Sequence, residues 1–166
     1  MAAQQTHTLV LLRHAKSDWS GNHPDLERPL ASRGRRQAPE AGRWLASNLP
    51  DVDLAVVSSA HRARSTWALA VEQMREEPPT RVDDDVYAAS ATGLLRVVRE
   101  LPEDAMRVVL VGHNPGLEEL VEMLTEVAAP LPTSAIAVVE VSGPWSSVAP
   151  SSCVLQASGR PPQSLG

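Results

Sequence analysis

Two runs of four consecutive aliphatic residues, Leu9-Val10-Leu11-Leu12 and Val108-Val109-Leu110-Val111, constrain this chain more than any other feature. An unbroken Val/Leu run of this length, bounded by polar residues, reads as a strand buried on both faces. Strands covered on both faces belong to sheets sandwiched between helices, and the remaining pattern agrees. Strand-like and helix-like segments alternate along the chain, the signature of an α/β fold. Each run also leads into a histidine, through Arg13-His14 and through Gly112-His113. Both histidines therefore fall at the carboxyl ends of central strands, where open α/β sheets place their ligands.

The periodicity predicts a first strand over Thr8 to Arg13 and a polar loop from Ser17 to Pro29. Ser32 is the expected N-cap of a helix reaching Asn48, with Ala38, Ala41, Leu45 and Leu49 on one face. Pro39 removes one backbone hydrogen bond there, so a kink or a late helix start is expected. A second strand follows over Asp53 to Val57. Ser58 and Ser59 then offer capping hydroxyls to a helix from His61 to Glu76. Arg81 to Val86 is a weak strand, and Thr92 to Leu101 a helix. Arg107 to Val111 is the second aliphatic strand, and its Gly-His-Asn-Pro-Gly turn opens a helix over Leu117 to Thr125. Thr133 to Val141 reads as a further buried strand, and Cys153 to Gln156 as an edge strand.

With 166 residues the chain is expected to form one domain over 1–166. Its core is expected over about 8–142, with a Ser/Pro/Gly-rich segment over about 143–166. A net charge of −5 argues against a nucleic-acid partner, which normally demands a basic excess. Local basic clusters at Arg33, Arg35 and Arg36, and at Arg62 and Arg64, still allow an anionic substrate. The single cysteine, Cys153, excludes an internal disulfide and a cysteine-rich metal site. No stretch approaches the roughly 20 apolar residues of a membrane span, and Met1 to Thr8 lacks the apolar core of a signal peptide. A soluble cytoplasmic protein with no membrane partner is expected.

Three pieces carry chemistry. Neutral imidazole is a nucleophile that can attack phosphorus, and the guanidinium of Arg13 beside His14 matches two phosphate oxygens while disfavouring the protonated ring. Ser58 to Thr66 stands at a strand-to-helix junction, where free N–H groups favour an anion, and Arg62 adds a second guanidinium within the first turn. His113, in a glycine turn, can donate a hydrogen bond to phosphate oxygens as charge develops. Each piece alone also has a plainer reading: a surface ion pair at Arg13, a solvated basic helix face around Arg62, a satisfied core histidine at 113. Their common position after strands is what draws them together. His61 reads as an exposed helix residue and Asn114 as a turn former. Of the four tryptophans, Trp44, Trp67 and Trp145 read as packing, while Trp19 follows the nucleophile and can wall a pocket.

The residues Leu-Arg-His-Ala-Lys-Ser-Asp-Trp at 12–19 resemble the Arg-His signature of the histidine phosphatase, or phosphoglycerate mutase-like, superfamily. More narrowly they resemble its SixA-type phosphohistidine phosphatase branch. Glu27 to Gly34, Ser58-Ser59 through Arg62 and Thr66, and Val111 to Gly116 resemble that branch's later motifs in the same order. The resemblance implies a three-layer α/β/α sandwich with a mostly parallel central sheet. It implies His14 as the residue that becomes phosphohistidine, with Arg13, Arg62 and His113 completing the phosphate pocket. Ser17 is a lesser candidate for a phosphate contact, with a plain turn role as its alternative.

Larger members of that superfamily supply an acid near the third strand to protonate an alcohol leaving group. Here that region reads Asp83-Asp84-Asp85-Val86-Tyr87-Ala88-Ala89, and Asp85 is the candidate acid, with a solvated loop as the alternative. An acid matters most for a poor leaving group, so a chain without one suits cleavage of a P–N bond. The expected activity is a metal- and cofactor-independent phosphatase acting on phosphohistidine of a signalling or phosphotransfer protein. The alternatives are a small-molecule phosphomonoesterase and a non-catalytic phosphoprotein-binding module. Oligomeric state is left open by the sequence.

Overall fold

The two aliphatic runs lie side by side at the centre of one sheet. The computed structural model describes residues 5–163 and Leu165. Six strands, β1 (Thr6–Arg13), β2 (Leu54–Ser58), β3 (Thr80–Asp83), β4 (Arg107–Gly112), β5 (Ile136–Ser142) and β6 (Cys153–Gly159), form a sheet of order β3-β2-β4-β1-β5-β6. The block β3-β2-β4-β1 is parallel, and β5 and β6 extend it antiparallel. In register, Leu9 pairs with Val108, Leu12 with Val111 and Arg13 with Gly112, so the two histidines that follow are neighbours.

Among the described residues four α-helices cover the sheet: α1 (Ser32–Asn48), α2 (His61–Val71), α3 (Ala91–Arg99) and α4 (Gly116–Thr125). Alternation along the strands divides the core in two. Val10, Leu12, Val109 and Val111 pack with Trp44 and Leu45 of α1 and Ala63 and Trp67 of α2. Leu9, Leu11, Val108 and Leu110 pack with Leu94 and Val98 of α3 and Leu117, Leu120 and Leu124 of α4. The result is a three-layer α/β/α sandwich. All eight residues of the runs have no exposed surface, each contributing about 1.5–3 kcal/mol by burial. A charged side chain at any of them would be stranded without a partner.

Several boundaries differ from the sequence expectation, each for a local reason. Ala31, not Ser32, is the N-cap of α1, and no side chain caps it. Pro39 sits within a helix that neither starts late nor breaks. The one lost backbone bond is outweighed by burial of Ala38, Ala41 and Leu45 and by close α1–α2 packing, where a Cβ on Gly42 would strike the Ala70 carbonyl. Helix α2 ends at Val71 rather than Glu76, because Gln73 and Met74 donate to Ala70 and Val71 in tighter turns. Ser58 and Ser59 do not cap it, and Ala60 occupies the N-cap. Strand β3 stops at Asp83, whose carboxylate accepts the Asp85 N–H and turns the chain into a 3-10 turn over Asp84–Val86. The strand expected from Thr133 starts only at Ile136, after a turn closed by Ala135 N–H to Pro132 O.

The C-terminal segment is more structured than its composition implies. Trp145 is fully buried, and β6 runs to Gly159 as the sheet edge, with Cys153 free and buried at its start. Residues 1–4, 164 and 166 lie outside the described residues. Among the described residues no helix is long and apolar enough to cross a membrane.

Candidate active site

The carboxyl ends of β1, β2 and β4 converge on a cavity of about 230 Å³. It is lined by Arg13, His14, Lys16, Ser17, Trp19, Arg62, His113, Asn114 and Thr133. A larger hollow of about 570 Å³ lies beside Pro50 and Met74, but its lining holds no imidazole and no pair of arginines. The chemistry, rather than size, marks the site.

His14 is fixed by backbone on both sides. Its N–H donates to Gly112 O (3.1 Å), and its carbonyl accepts from Ser134 N–H (3.0 Å). Its ring Nδ1 lies 2.8 Å from Ala15 O, a group that can only accept, so Nδ1 carries the proton. Nε2 is thereby left with its lone pair. Burial, reinforced by the Arg62 and Arg13 charges, pushes the His14 pKa down to about 4, against which the Ala15 bond and Asp25 act. Burial is thus the larger influence and arginine repulsion the smaller, although adjacency in sequence suggests the reverse order.

The loop after His14 is held from helices α1 and α2. Ala15 N–H donates to Thr66 Oγ1 (2.9 Å), and the Thr66 hydroxyl donates to Arg62 O (2.7 Å). Lys16 N–H donates to Gln37 Oε1. A Cβ on Gly34 would collide with the Lys16 carbonyl oxygen, so only glycine lets α1 approach this closely.

Arg13 donates from its Nη1 to Leu131 O (3.0 Å), and Asn114 Nδ2 donates to the same carbonyl (2.8 Å). Glu118 in turn accepts the Leu131 N–H, so this peptide positions the guanidinium. Arg13 Nε is buried without a partner. Asn114 therefore does shape the turn, and it also lines the cavity.

His113 Nε2 lies 2.7 Å from Ser58 Oγ, and its Nδ1 is buried and unpartnered. If Ser58 donates to Nε2, Nδ1–H becomes a free donor next to His14, whose ring centroid is 5.0 Å away. Burial and the neighbouring His14, Arg62 and Arg13 push the His113 pKa down to about 3, so the ring is neutral at pH 7. The buried Arg62 donates to Asp25 O (2.6 Å) and to Asp25 Oδ2 (3.1 Å), which hold it against the cavity.

Ser17 is buried on the cavity wall, tied by a bridge to Leu30. Asp85 is not brought there: it is exposed and does not line the cavity. Two residues on, Tyr87 reaches the site instead, its ring edge-on to His113 and its hydroxyl donating to Asp25 Oδ2. That bond and the Arg62 contacts hold the Asp25 carboxyl below the usual range, while the same bond raises the Tyr87 pKa. His61 is exposed, as its sequence context indicates.

A catalytic nucleophile candidate, two arginines and a second imidazole thus share one small cavity at the edge of a largely parallel sheet. The model of the histidine phosphatase superfamily (branch 1) matches residues 9–87. The structure of a candidate phosphohistidine phosphatase, SixA, from Nakamurella multipartitia superposes with a TM-score of 0.81 and 30% identity over 93% of this chain and 95% of that one. The chain belongs to the histidine phosphatase superfamily. A second SixA candidate, from Agrobacterium tumefaciens, shares 27% identity and a TM-score of 0.74 over 81% of this chain and 92% of that one. An uncharacterized protein of Mycobacterium tuberculosis is 34% identical over 155 residues, 87% of this chain and 96% of its own. Membership makes this a hydrolase-type fold directed at phosphorylated substrates, and the shared architecture accounts for the strand-end placement of both histidines.

The sequence assigns no individual site role to Asp25, Arg28, Gly34, Ser58, Thr66 or Tyr87, although Arg28 and Gly34 fall within the Glu27–Gly34 motif, Ser58 and Thr66 within the Ser58–Thr66 segment, and Tyr87 just after the Asp83–Asp85 run. Asp25 had no signal of its own, lying 37 residues from Arg62 and 62 from Tyr87.

Proposed function

We propose that this protein is a phosphatase in which His14 Nε2 takes the phosphoryl group of phosphohistidine on a signalling or phosphotransfer protein and passes it to water. One observation carries the reading: Nδ1 of His14 is committed to the Ala15 carbonyl, which leaves Nε2 unprotonated beside Arg13, Arg62 and the free His113 Nδ1. In the first step the Nε2 lone pair forms a bond to phosphorus as the substrate P–N bond breaks. A substrate ring protonated on its other nitrogen leaves as neutral imidazole. Arg13, Arg62 and His113 Nδ1–H stabilise the charge on the transferring oxygens, a role worth about 10²–10³-fold per donor in comparable sites. Water then attacks phosphorus, the bond pair returns to Nε2, and dihydrogen phosphate departs with both water protons.

The substrate assignment rests on the carboxylate nearest this chemistry. Asp25 is held ionised by Tyr87 and Arg62, so in the free enzyme it offers no proton to a leaving group. A P–N bond to a protonated ring needs none, whereas an alkoxide does. With three cationic or hydrogen-bonding groups already on the phosphate, the reading requires no metal ion or cofactor. Assay of the purified chain against a phosphohistidine protein, sugar phosphates and an aryl phosphate, with and without chelator, tests this. Chelator-resistant turnover strongest on phosphohistidine supports the proposal. Preference for sugar phosphates would move it to a small-molecule phosphomonoesterase, and binding without turnover of any substrate would make it a phosphoprotein-binding module.

A further inference from the structure

Trp19 is the one large aromatic that the fold leaves outside. It is 67% exposed, whereas Trp44, Trp67 and Trp145 are buried in the two core layers. Exposure alone would mean little. Trp19, however, lines the same cavity as His14, Arg62 and His113. One face of its indole is covered by the buried guanidinium of Arg28, whose central carbon lies 3.6 Å from the ring centroid. Arg28 Nε is in turn 3.8 Å from Asp25 Oδ1, on the carboxylate that also holds Arg62. The ring is therefore backed on one side and open on the other, and it is tied through Asp25 to the phosphate-binding arginine.

We infer that Trp19 is a stacking platform for the planar ring of the leaving group, and thus a specificity-determining residue of this site; this rests on the phosphatase reading above. In-line attack by His14 Nε2 sends the leaving group outward toward the cavity mouth. In a cavity this small, a five-membered ring bonded directly to phosphorus stays within reach of an indole on the same wall. A nucleobase, separated from phosphate by its sugar, projects past it, and a saturated alcohol offers no flat face. Offset stacking on one aromatic face is worth about 3- to 10-fold in affinity or rate.

The test uses the full chain and two substrates with the same P–N bond, phosphoimidazole and phosphoramidate, of which only the first carries a ring. Trp19→Leu is expected to lower the preference for phosphoimidazole, as a ratio of kcat/KM values, by about 3- to 10-fold. Trp19→Phe is expected to restore most of it. Because the side chain is exposed, an unchanged Tm serves as the folding control. Equal losses on both substrates, or a preference unmoved in Trp19→Leu, would overturn the platform while leaving the phosphatase reading intact. So would a loss confined to a phosphohistidine protein, which would make Trp19 a protein-docking residue. A wild-type chain that hydrolyses neither P–N compound would defeat the phosphatase reading, and the platform with it.

Discussion

The floor and the rim of the cavity are built in different ways. The floor is Arg13, His14 and His113, at the ends of strands whose aliphatic runs have no exposed surface, together with Arg62 in the first turn of α2, and His14 is clamped by backbone bonds to Gly112 and Ser134. The rim is the segment from Ser17 to Pro29. It is held by one bridge from Ser17 to Leu30, a bond from Asp18 N–H to Pro29 O, and the contacts of Asp25 with Arg62 and Tyr87. Rigid backbone suits groups that must meet a transition state within fractions of an ångström. A segment held mainly by side chains can differ in its residues without disturbing that geometry. The chemistry is thus assigned to the floor and the choice of substrate to the rim.

Floor variants should lose turnover on every phosphorylated substrate. His14→Asn removes the nucleophile, and a loss of about 10³-fold or more in kcat is expected from steady-state kinetics. Arg62→Ala or His113→Ala removes one stabilising donor, and about 10²–10³-fold should be lost, again for all substrates. A substrate-selective loss in any of these three would erase the distinction between floor and rim.

Gly34→Ala probes the joint between them. Its Cβ would push on the Lys16 carbonyl, and overpacking of this kind costs about 1–3 kcal/mol. The Tm should fall by several degrees, with roughly 2–4 °C expected per kcal/mol at this chain length. An unchanged Tm with unchanged activity would show that α1 does not set the nucleophile loop.

Asp25→Ala should have a smaller effect, a several-fold fall in kcat/KM, because Arg62 keeps its bond to the Asp25 backbone carbonyl. The variant should not shift the pH optimum, since the carboxylate acts by holding Arg62 rather than by giving a proton. A displaced basic limb in this variant would instead make Asp25 the acid.

The smallest effect is on stability. A histidine whose pKa is lower folded than unfolded leaves the unfolded chain binding more protons between the two values. Stability from His14 is therefore full above its unfolded pKa of roughly 6.5 and is lost as pH falls toward about 4. His14→Asn should thus lose less Tm than the wild type between pH 7 and pH 4.5 in paired melts. Equal losses would mean that His14 titrates normally.

The same division explains what could be read from the sequence. The two aliphatic runs revealed the central strands because burial on both faces leaves no polar alternation, and strand ends then placed His14 and His113 together. Arg62 was legible as the first turn of a helix after β2. Of the rim, Ser17 and Trp19 were legible from their place just after the nucleophile, and both line the cavity. Asp25, with its ties to Arg62 and Tyr87, was not, because those contacts join distant residues with no local pattern. Asp85 looked like the acid by position, but the Asp83 carboxylate folds back on the Asp85 N–H and the turn presents Tyr87 instead. Likewise Ser58 looked like a helix cap, yet its hydroxyl meets His113.

The central claim is that His14 carries the phosphoryl group. Rapid mixing with a phosphohistidine protein, alkaline quench and mass spectrometry of the digested enzyme would locate it. The account predicts one phosphoryl group on the peptide containing His14, labile to acid, rising and decaying no slower than turnover, and absent from His14→Asn. Turnover with His14 unmodified, or a phosphoryl group trapped on another residue at the catalytic rate, would contradict it.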